Sequence, residues 1–388
     1  MMLIKNGLIE GRWSVMASIY LDNAASTKVS GTCLNRFIQV AESLYGNPSS
    51  KHNEGLMANE CIQDVKEFIA SRLNCKDDDV YFTMGATMSN QLCIQGFLAK
   101  HPDGMIITTN VEHNDIMILM DNLLCFKHIL QVNKDGLIDL PTLKSVLDYA
   151  TRDMHTPVLV AIQMANSESG IIQPIKDISE IVHSYNDVCL YVDATQYIPY
   201  YPIDMEELCI DGLGMSGQKI GGIKGTGLFV ARQTLRDNIK PIIYGEQGLI
   251  GGTLSTPLIA SLGVAFDQID YDTSLLQENR DLLLKHLEDI GGVLVGSLEH
   301  RLPNNIYIRF PGVSGLTLMG LLNDRNIYIG TGSACSTDSD KPSHVALAYG
   351  LTTEEALECV RFTLSNETTY GEIIYVVNVL KSILPLLK

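Results

Sequence analysis

Over the first two thirds of the chain, short apolar runs alternate with stretches of helical periodicity, and that alternation limits the fold more than any other feature. The runs are Met105-Ile106-Ile107-Thr108, Pro157-Val158-Leu159-Val160-Ala161-Ile162, Val188-Cys189-Leu190-Tyr191-Val192 and Gly227-Leu228-Phe229-Val230. A strand that is apolar on both faces needs cover on both, so these runs read as a mostly parallel sheet between helices. Asn59 to Leu73 and Ile175 to Tyr185 supply such helices, with apolar residues three and four apart. After Tyr271 the pattern becomes a charged helix (Leu275 to Ile290), a strand (Asn305 to Phe310), a helix (Leu316 to Asn323), a short strand and a C-terminal helix. The expected fold is α/β: a large domain with a mostly parallel sheet flanked by helices, plus a smaller α+β domain. The expected boundaries are 1–28 for an N-terminal segment joining the small domain, 29–270 for the large domain and 271–388 for the small one.

The chain's 388 residues exceed what one compact core usually holds. A net charge of −17 opposes direct binding to nucleic acid or anionic lipid, so a docking partner is expected to be a protein with a neutral or basic surface. The nine cysteines are scattered singly, without C-x-x-C or metal-like spacing. This predicts free thiols in a reducing, cytoplasmic compartment and no metal site. No apolar run reads as long enough to cross a bilayer, and Glu10 and Arg12 interrupt the start of the chain. Met16 reads as a natural start, which makes residues 1–15 an extension.

Open parallel sheets place ligands beyond the carboxyl ends of their strands, and the polar clusters of this sequence fall there. In Tyr191-Val192-Asp193-Ala194-Thr195-Gln196 a buried strand runs into a carboxylate, which needs a cationic or hydrogen-bonding partner to stay ionised. In Met215-Ser216-Gly217-Gln218-Lys219 a lysine ends an apolar segment among small residues. Such a lysine can form a Schiff base with an aldehyde, and a pyridoxal phosphate (PLP) site needs both that lysine and a carboxylate for the ring nitrogen. The strand and turn Phe82-Thr83-Met84-Gly85-Ala86-Thr87 open a helical run whose N–H groups suit a phosphate. His113 follows another strand, where it could stack on a flat ring or move a proton. Cys335 lies in a polar stretch from Gly330 to Ser343 that reads as a loop, a setting that favours thiol reactivity. Arg361 sits within an alternating strand, where a substrate carboxylate would satisfy its charge. Taken singly, each has an ordinary structural use as a cap, an ion pair, a surface charge or a turn.

Taken in order, these segments resemble the cysteine desulfurases, fold-type I PLP enzymes of the class V aminotransferase group, from about Tyr20 to Val377. The most specific parts are Leu21-Asp22-Asn23-Ala24-Ala25, Tyr45-Gly46-Asn47-Pro48-Ser49-Ser50-Lys51-His52, Gly85-Ala86-Thr87, Glu112-His113, Val192-Asp193-Ala194-Thr195-Gln196, Ser216-Gly217-Gln218-Lys219, Gly332-Ser333-Ala334-Cys335 and Arg361. The resemblance implies that Lys219 carries the Schiff base, Asp193 pairs with the ring nitrogen, Gln196 bonds the ring hydroxyl and His113 stacks on the ring. It also implies that Thr87 and Ser216 bind the phosphate, with Ala86, Gln218 and Ser167 completing the cofactor set. Thr253 would reach the phosphate of the neighbouring subunit in a homodimer. Arg361, with Asn166, would hold the L-cysteine substrate, and Cys335 would take its sulfur as a persulfide. The long Cys335 segment resembles the branch of the family that passes sulfur to an acceptor protein. Five residues depart from the family pattern: Gln218 stands for a histidine, Ser167 for an asparagine and Ile250 for an arginine, and Met88 and Gln91 alter the helix after Thr87. Two other readings stay open, a selenocysteine lyase or transaminase using the same cofactor, and a catalytically weak scaffold for a sulfur-acceptor protein.

Overall fold

A computed structural model describes residues 4–5, 8–9, 18–245, 248–332 and 341–387. Three short strands come first: β1 (Ile4–Lys5), β2 (Leu8–Ile9) and β3 (Ile19–Tyr20). The large sheet and its covering helices follow as α1 (Gly31–Ser43), α2 (Asn53–Leu73), β4 (Val80–Thr83), α3 (Ala86–Lys100), β5 (Met105–Thr109), α4 (Asn114–Asn122) and β6 (Phe126–Leu130). They continue as α5 (Leu140–Asp148), β7 (Val158–Gln163), α6 (Ile175–Val182), β8 (Val188–Asp193), β9 (Gly212–Ser216), β10 (Gly227–Ala231), α7 (Gln233–Arg236) and α8 (Thr256–Asp267). The C-terminal part holds α9 (Ser274–Asp289), β11 (Val293–Leu294), β12 (Asn305–Arg309), α10 (Gly315–Asn323), β13 (Ile327–Tyr328), α11 (His344–Ala348), α12 (Thr353–Leu357), β14 (Cys359–Thr363) and α13 (Tyr370–Leu387).

Seven strands form the main sheet in the order β4-β10-β9-β8-β7-β5-β6. From β9 to β6 every pairing is parallel, whereas β10 runs antiparallel to both β9 and β4. The link from β9 to β10 holds only one 3-10 turn, Gly217–Lys219. A parallel return needs a longer crossover, so the chain doubles back instead. Every residue of β5, β7, β8 and β10 is buried, which accounts for their continuous apolar sequences.

The sheet separates two apolar clusters, one containing Ile107, Val160, Leu190 and Leu213, the other Phe97, Ile106, Leu159 and Phe229. A further cluster joins Leu21 to Leu283, Ile306, Val360 and Val376, and β3 pairs in parallel with β13. The start of the chain therefore packs with its C-terminal part. Two details differ from the sequence reading. Helix α2 begins at Asn53 rather than Asn59, because the His52 side chain caps it by accepting from Gly55 N. Helix α13 is long and apolar enough to cross a bilayer by length and composition, contrary to expectation. It instead sends Ile373, Val376, Val377, Leu380 and Ile383 into the C-terminal core.

Candidate functional site

The carboxyl ends of β4, β8 and β9 meet in one cavity, whose lining includes Ala24, Ala86, Thr87, His113, Asp193, Gln196, Ser216, Lys219 and Arg361. Its first wall is the turn from β4 into α3. Gly85 there has φ of 144°, a conformation that favours glycine. Gly227 of β10 lies against it, so that a Cβ on Gly227 would come within 2.5 Å of Gly85 Cα. Helix α3 has no side-chain cap from its own N-terminus. Ser216, at the end of β9, supplies one contact by accepting from Ala86 N at 2.8 Å. The first turn of α3, with Thr87 and Ser216 beside it, is a cradle for an anion.

Asp193 forms the second wall. It accepts from Thr195 N at 2.9 Å and from Asn90 Nδ2 at 3.1 Å, and no ion pair reaches it among the described residues. Burial, reinforced by the charge of Asp115, pushes its carboxyl up, the cost of an anion without a cation. A protonated ring nitrogen would supply that cation. Lys219 donates from Nζ to Ala24 O at 2.7 Å and also to Ala25 O. Gln196 donates to the same Ala24 carbonyl at 3.0 Å. A carboxylate, a lysine and an anion cradle around one cavity fit a flat cationic ring bearing an aldehyde and a phosphate.

His113 lies at the start of α4, and its Nδ1 is 2.8 Å from Asp115 Oδ1. Burial alone would push the Asp115 carboxyl up, but the bond and charge of His113, with bonds from Thr87 and Asn90, hold it below the ordinary range. Asn90 Nδ2 donates to Asp115 Oδ2 as well as Asp193 Oδ2, each at 3.1 Å, while Asn90 Oδ1 accepts from Tyr191 OH at 2.7 Å. The sequence reading passed over Asp115 and Asn90. The available signal was spacing: Asn90 follows Ala86 and Thr87 by four and three residues, which puts all three on one helix face. Glu112 is fully buried, accepting from Thr109 Oγ1 at 2.7 Å and Gln163 N at 2.9 Å.

Arg361, on β14, brings the C-terminal part to the cavity. Its Nη1 donates to Ser167 O at 2.8 Å and its Nη2 to Asp22 Oδ1 at 2.6 Å. Its Nε is buried without a partner among the described residues. Ser167 and Gln218 both line the cavity, so two of the departures from the family pattern face the site. Ile250 does not: it is buried in an apolar cluster with Leu249 and Phe229. Asn166 is turned away. Its Nδ2 donates to Val111 O at 2.8 Å, and its Oδ1 accepts from Glu168 N at 2.9 Å and Ser169 N at 2.7 Å. Thr253 is exposed and is not part of this cavity's lining. Cys335 lies outside the described residues.

A mostly parallel sheet with helices on both faces and this cavity at its strand ends defines an enzyme of the aminotransferase class-V family, which the chain matches over residues 19–376 and to which it belongs. Within that family the chain is 33% identical over 384 residues to the cysteine desulfurase IscS of Dictyoglomus turgidum (strain DSM 6724 / Z-1310), covering 95% of this chain and 95% of the relative. A solved NifS-like protein superposes with a TM-score of 0.87 at 28% identity, over 95% of this chain and 100% of its own. SspA in complex with cysteine superposes with a TM-score of 0.78 at 29% identity, over 89% of this chain and 99% of its own.

Proposed function

We propose that the chain is a PLP-dependent cysteine desulfurase, which converts L-cysteine to L-alanine and carries the sulfur as a persulfide on Cys335 to an acceptor. The observation that carries the reading is the buried Asp193, an anion without a cation, sharing a cavity with Lys219. Residues that would hold the cofactor are Lys219, Asp193, Gln196, Thr87, Ala86, Ser216, Gln218, Ser167 and His113. Bound there, PLP supplies an aldehyde to capture the substrate amine and a ring to draw electrons from it.

Lys219 Nζ moves the proton at the substrate's Cα, and Asp193 keeps a proton on the ring nitrogen. Arg361 orients the substrate by its carboxylate, with a guanidinium whose Nε has no hydrogen-bond partner among the described residues. Cys335, as thiolate, attacks the substrate sulfur. The S–S bond forms as the C–S bond breaks, and the bonding pair passes to carbon, which takes up a proton to give alanine. Attack needs the thiolate, and His113 is the group that accepts the thiol proton.

The same reading assigns 29–270 to the cofactor domain and 271–388, with 1–28, to the small domain. It also takes the chain as a homodimer. Pro48 and Ser49 share a pocket with Ile250 and Leu254, and the flanking Tyr45 and Tyr244 are exposed at 76% and 83%. Thr253 is free to reach a neighbouring subunit from that edge. The net charge of −17 favours an acceptor protein with a neutral or basic docking face.

The test is to incubate the protein with cysteine and PLP, measure alanine, and analyse the Cys335 peptide by mass spectrometry. Alanine without added keto acid and a peptide heavier by one sulfur are the expected results. Substantial alanine formation by Lys219→Ala or Cys335→Ser would refute the assignment. A need for a keto acid would favour a transaminase.

A further inference from the structure

The aspartate beside His113 is not needed to make a cofactor site, yet it makes the shortest polar contact of that histidine among the distances above. Two contacts at Nδ1 compete: the nitrogen lies 2.8 Å from Asp115 Oδ1 and 3.4 Å from Asp115 N. They demand opposite tautomers, since an ionised carboxylate only accepts and a backbone N–H only donates. The contact to the carboxylate is much the shorter, and charge assistance makes it the stronger. The proton therefore sits on Nδ1, and Nε2 is the basic nitrogen.

Asp115 is itself fixed. Its second oxygen accepts from Asn90 Nδ2, whose other carboxylate partner is Asp193. The amide cannot turn over, because its Oδ1 is bonded by Tyr191 OH. One amide thus sits between two carboxylates, one assigned to the ring nitrogen and one bonded to the histidine. Other charged or titratable groups near the ring are Glu112 beside it in the chain, Asp193 from β8, Lys219 after β9 and Arg361 from β14. His344 Nε2 lies 2.9 Å from the carbonyl of Glu112.

We propose that Asp115 is a positioning residue that holds the proton of His113 on Nδ1, aims Nε2 as the base, and is itself clamped through Asn90 to the cofactor carboxylate Asp193. Its kinetic consequence rests on the desulfurase reading. With Asp115 ionised, His113 binds a proton more tightly and presents one nitrogen for proton transfer. Without it the ring loses both its orientation and the charge that favours imidazolium.

The experiment uses the full-length protein as purified, labelled with nitrogen-15 histidine, with His113 assigned from the signal lost in His113→Gln. Long-range proton–nitrogen spectra of the wild type should show the Nδ1-protonated tautomer for His113; the Nε2-protonated form overturns the proposal without any Asp115 variant. In Asp115→Asn the midpoint of the His113 titration should fall by about one pH unit, the size of a single nearby charge. The acid limb of kcat/KM for alanine formation should move down with it, and Asp115→Glu should restore both. An unchanged midpoint in Asp115→Asn overturns the proposal. If the wild type forms no alanine, the desulfurase reading fails, while the tautomer and the titration still decide the role of Asp115.

Discussion

Arg361 commits two of its nitrogens to the protein, one to Ser167 O and one to Asp22, and its buried Nε has no partner among the described residues. A lysine cannot make both protein contacts and also grip a carboxylate. Arg361→Lys should therefore raise KM for cysteine by roughly tenfold to a hundredfold, the size of one charged hydrogen bond, with a smaller change in kcat. Steady-state alanine formation measures the split. Glu112 gives a second prediction at this scale. Burial pushes its carboxyl up to about 8 from 4.5. A carboxyl with a raised pKa binds more protons folded than unfolded between those values, so its contribution to stability declines as pH rises through that window. Glu112→Gln mimics the protonated form and removes the decline. The melting temperature of the variant should equal that of the wild type near pH 5 and exceed it increasingly toward pH 8. Lys219, Asp193 and Arg361 were legible in the sequence because each is a charge set in or at the end of an apolar run. Asp115 and Asn90 were not, because each lies in the first turns of a helix, where a polar residue is ordinary. Their meaning comes only from the convergence of α3 and α4 on one strand end.

Among the elements, α6 shows how a helix is tied to the sheet by one titratable contact. His183, just past its end, has Nε2 3.2 Å from Asp211 Oδ2 and Nδ1 2.9 Å from Ser179 O. Asp211 also accepts from Leu190 N at 2.8 Å and from Thr234 Oγ1 at 2.5 Å, so it joins α6, β8 and α7. The bond to Asp211 raises the His183 pKa above its ordinary value. A histidine raised by folding stabilises fully below its unfolded pKa, and that stabilisation is lost as pH rises through the folded one. His183→Gln should lower the denaturation midpoint clearly at pH near 5.5 and hardly at pH near 8.5, as urea titrations at the two values will show. The parallel strands were legible because burial on both faces leaves an unbroken apolar run. The reversal of β10 was not, since β10 is as apolar as its neighbours. What turns it is the short link from β9, a constraint of chain length rather than of residue type.

At the scale of the whole molecule, the C-terminal core is fastened to the large sheet by arginine as well as by apolar contact. Arg301 is buried and donates to Ser169 O at 2.7 Å after β7, and to Ser297 O at 3.0 Å and Val295 O at 2.5 Å in the C-terminal part. The homodimer is the prediction that belongs here. Light scattering should give twice 42.7 kDa, and Tyr244→Glu, which buries a charge at the proposed contact, should shift the mass toward the monomer. The helices and strands of the C-terminal part were legible from the change in pattern after Tyr271, but the burial of Arg301 among them was not, because a lone arginine in a polar stretch gives no sign of burial. The contact of Gly227 with Gly85 has a different consequence. At the turn into α3, main chain meets main chain with no side chain between, so a side chain on Gly227 would push β10 and that turn apart. Elsewhere in the lining, Ser167, Gln218 and Arg361 present side chains that can be exchanged one at a time. The turn into α3 is thus a fixed point of the cavity wall, whereas at Ser167 and Gln218 the wall can change without the backbone moving.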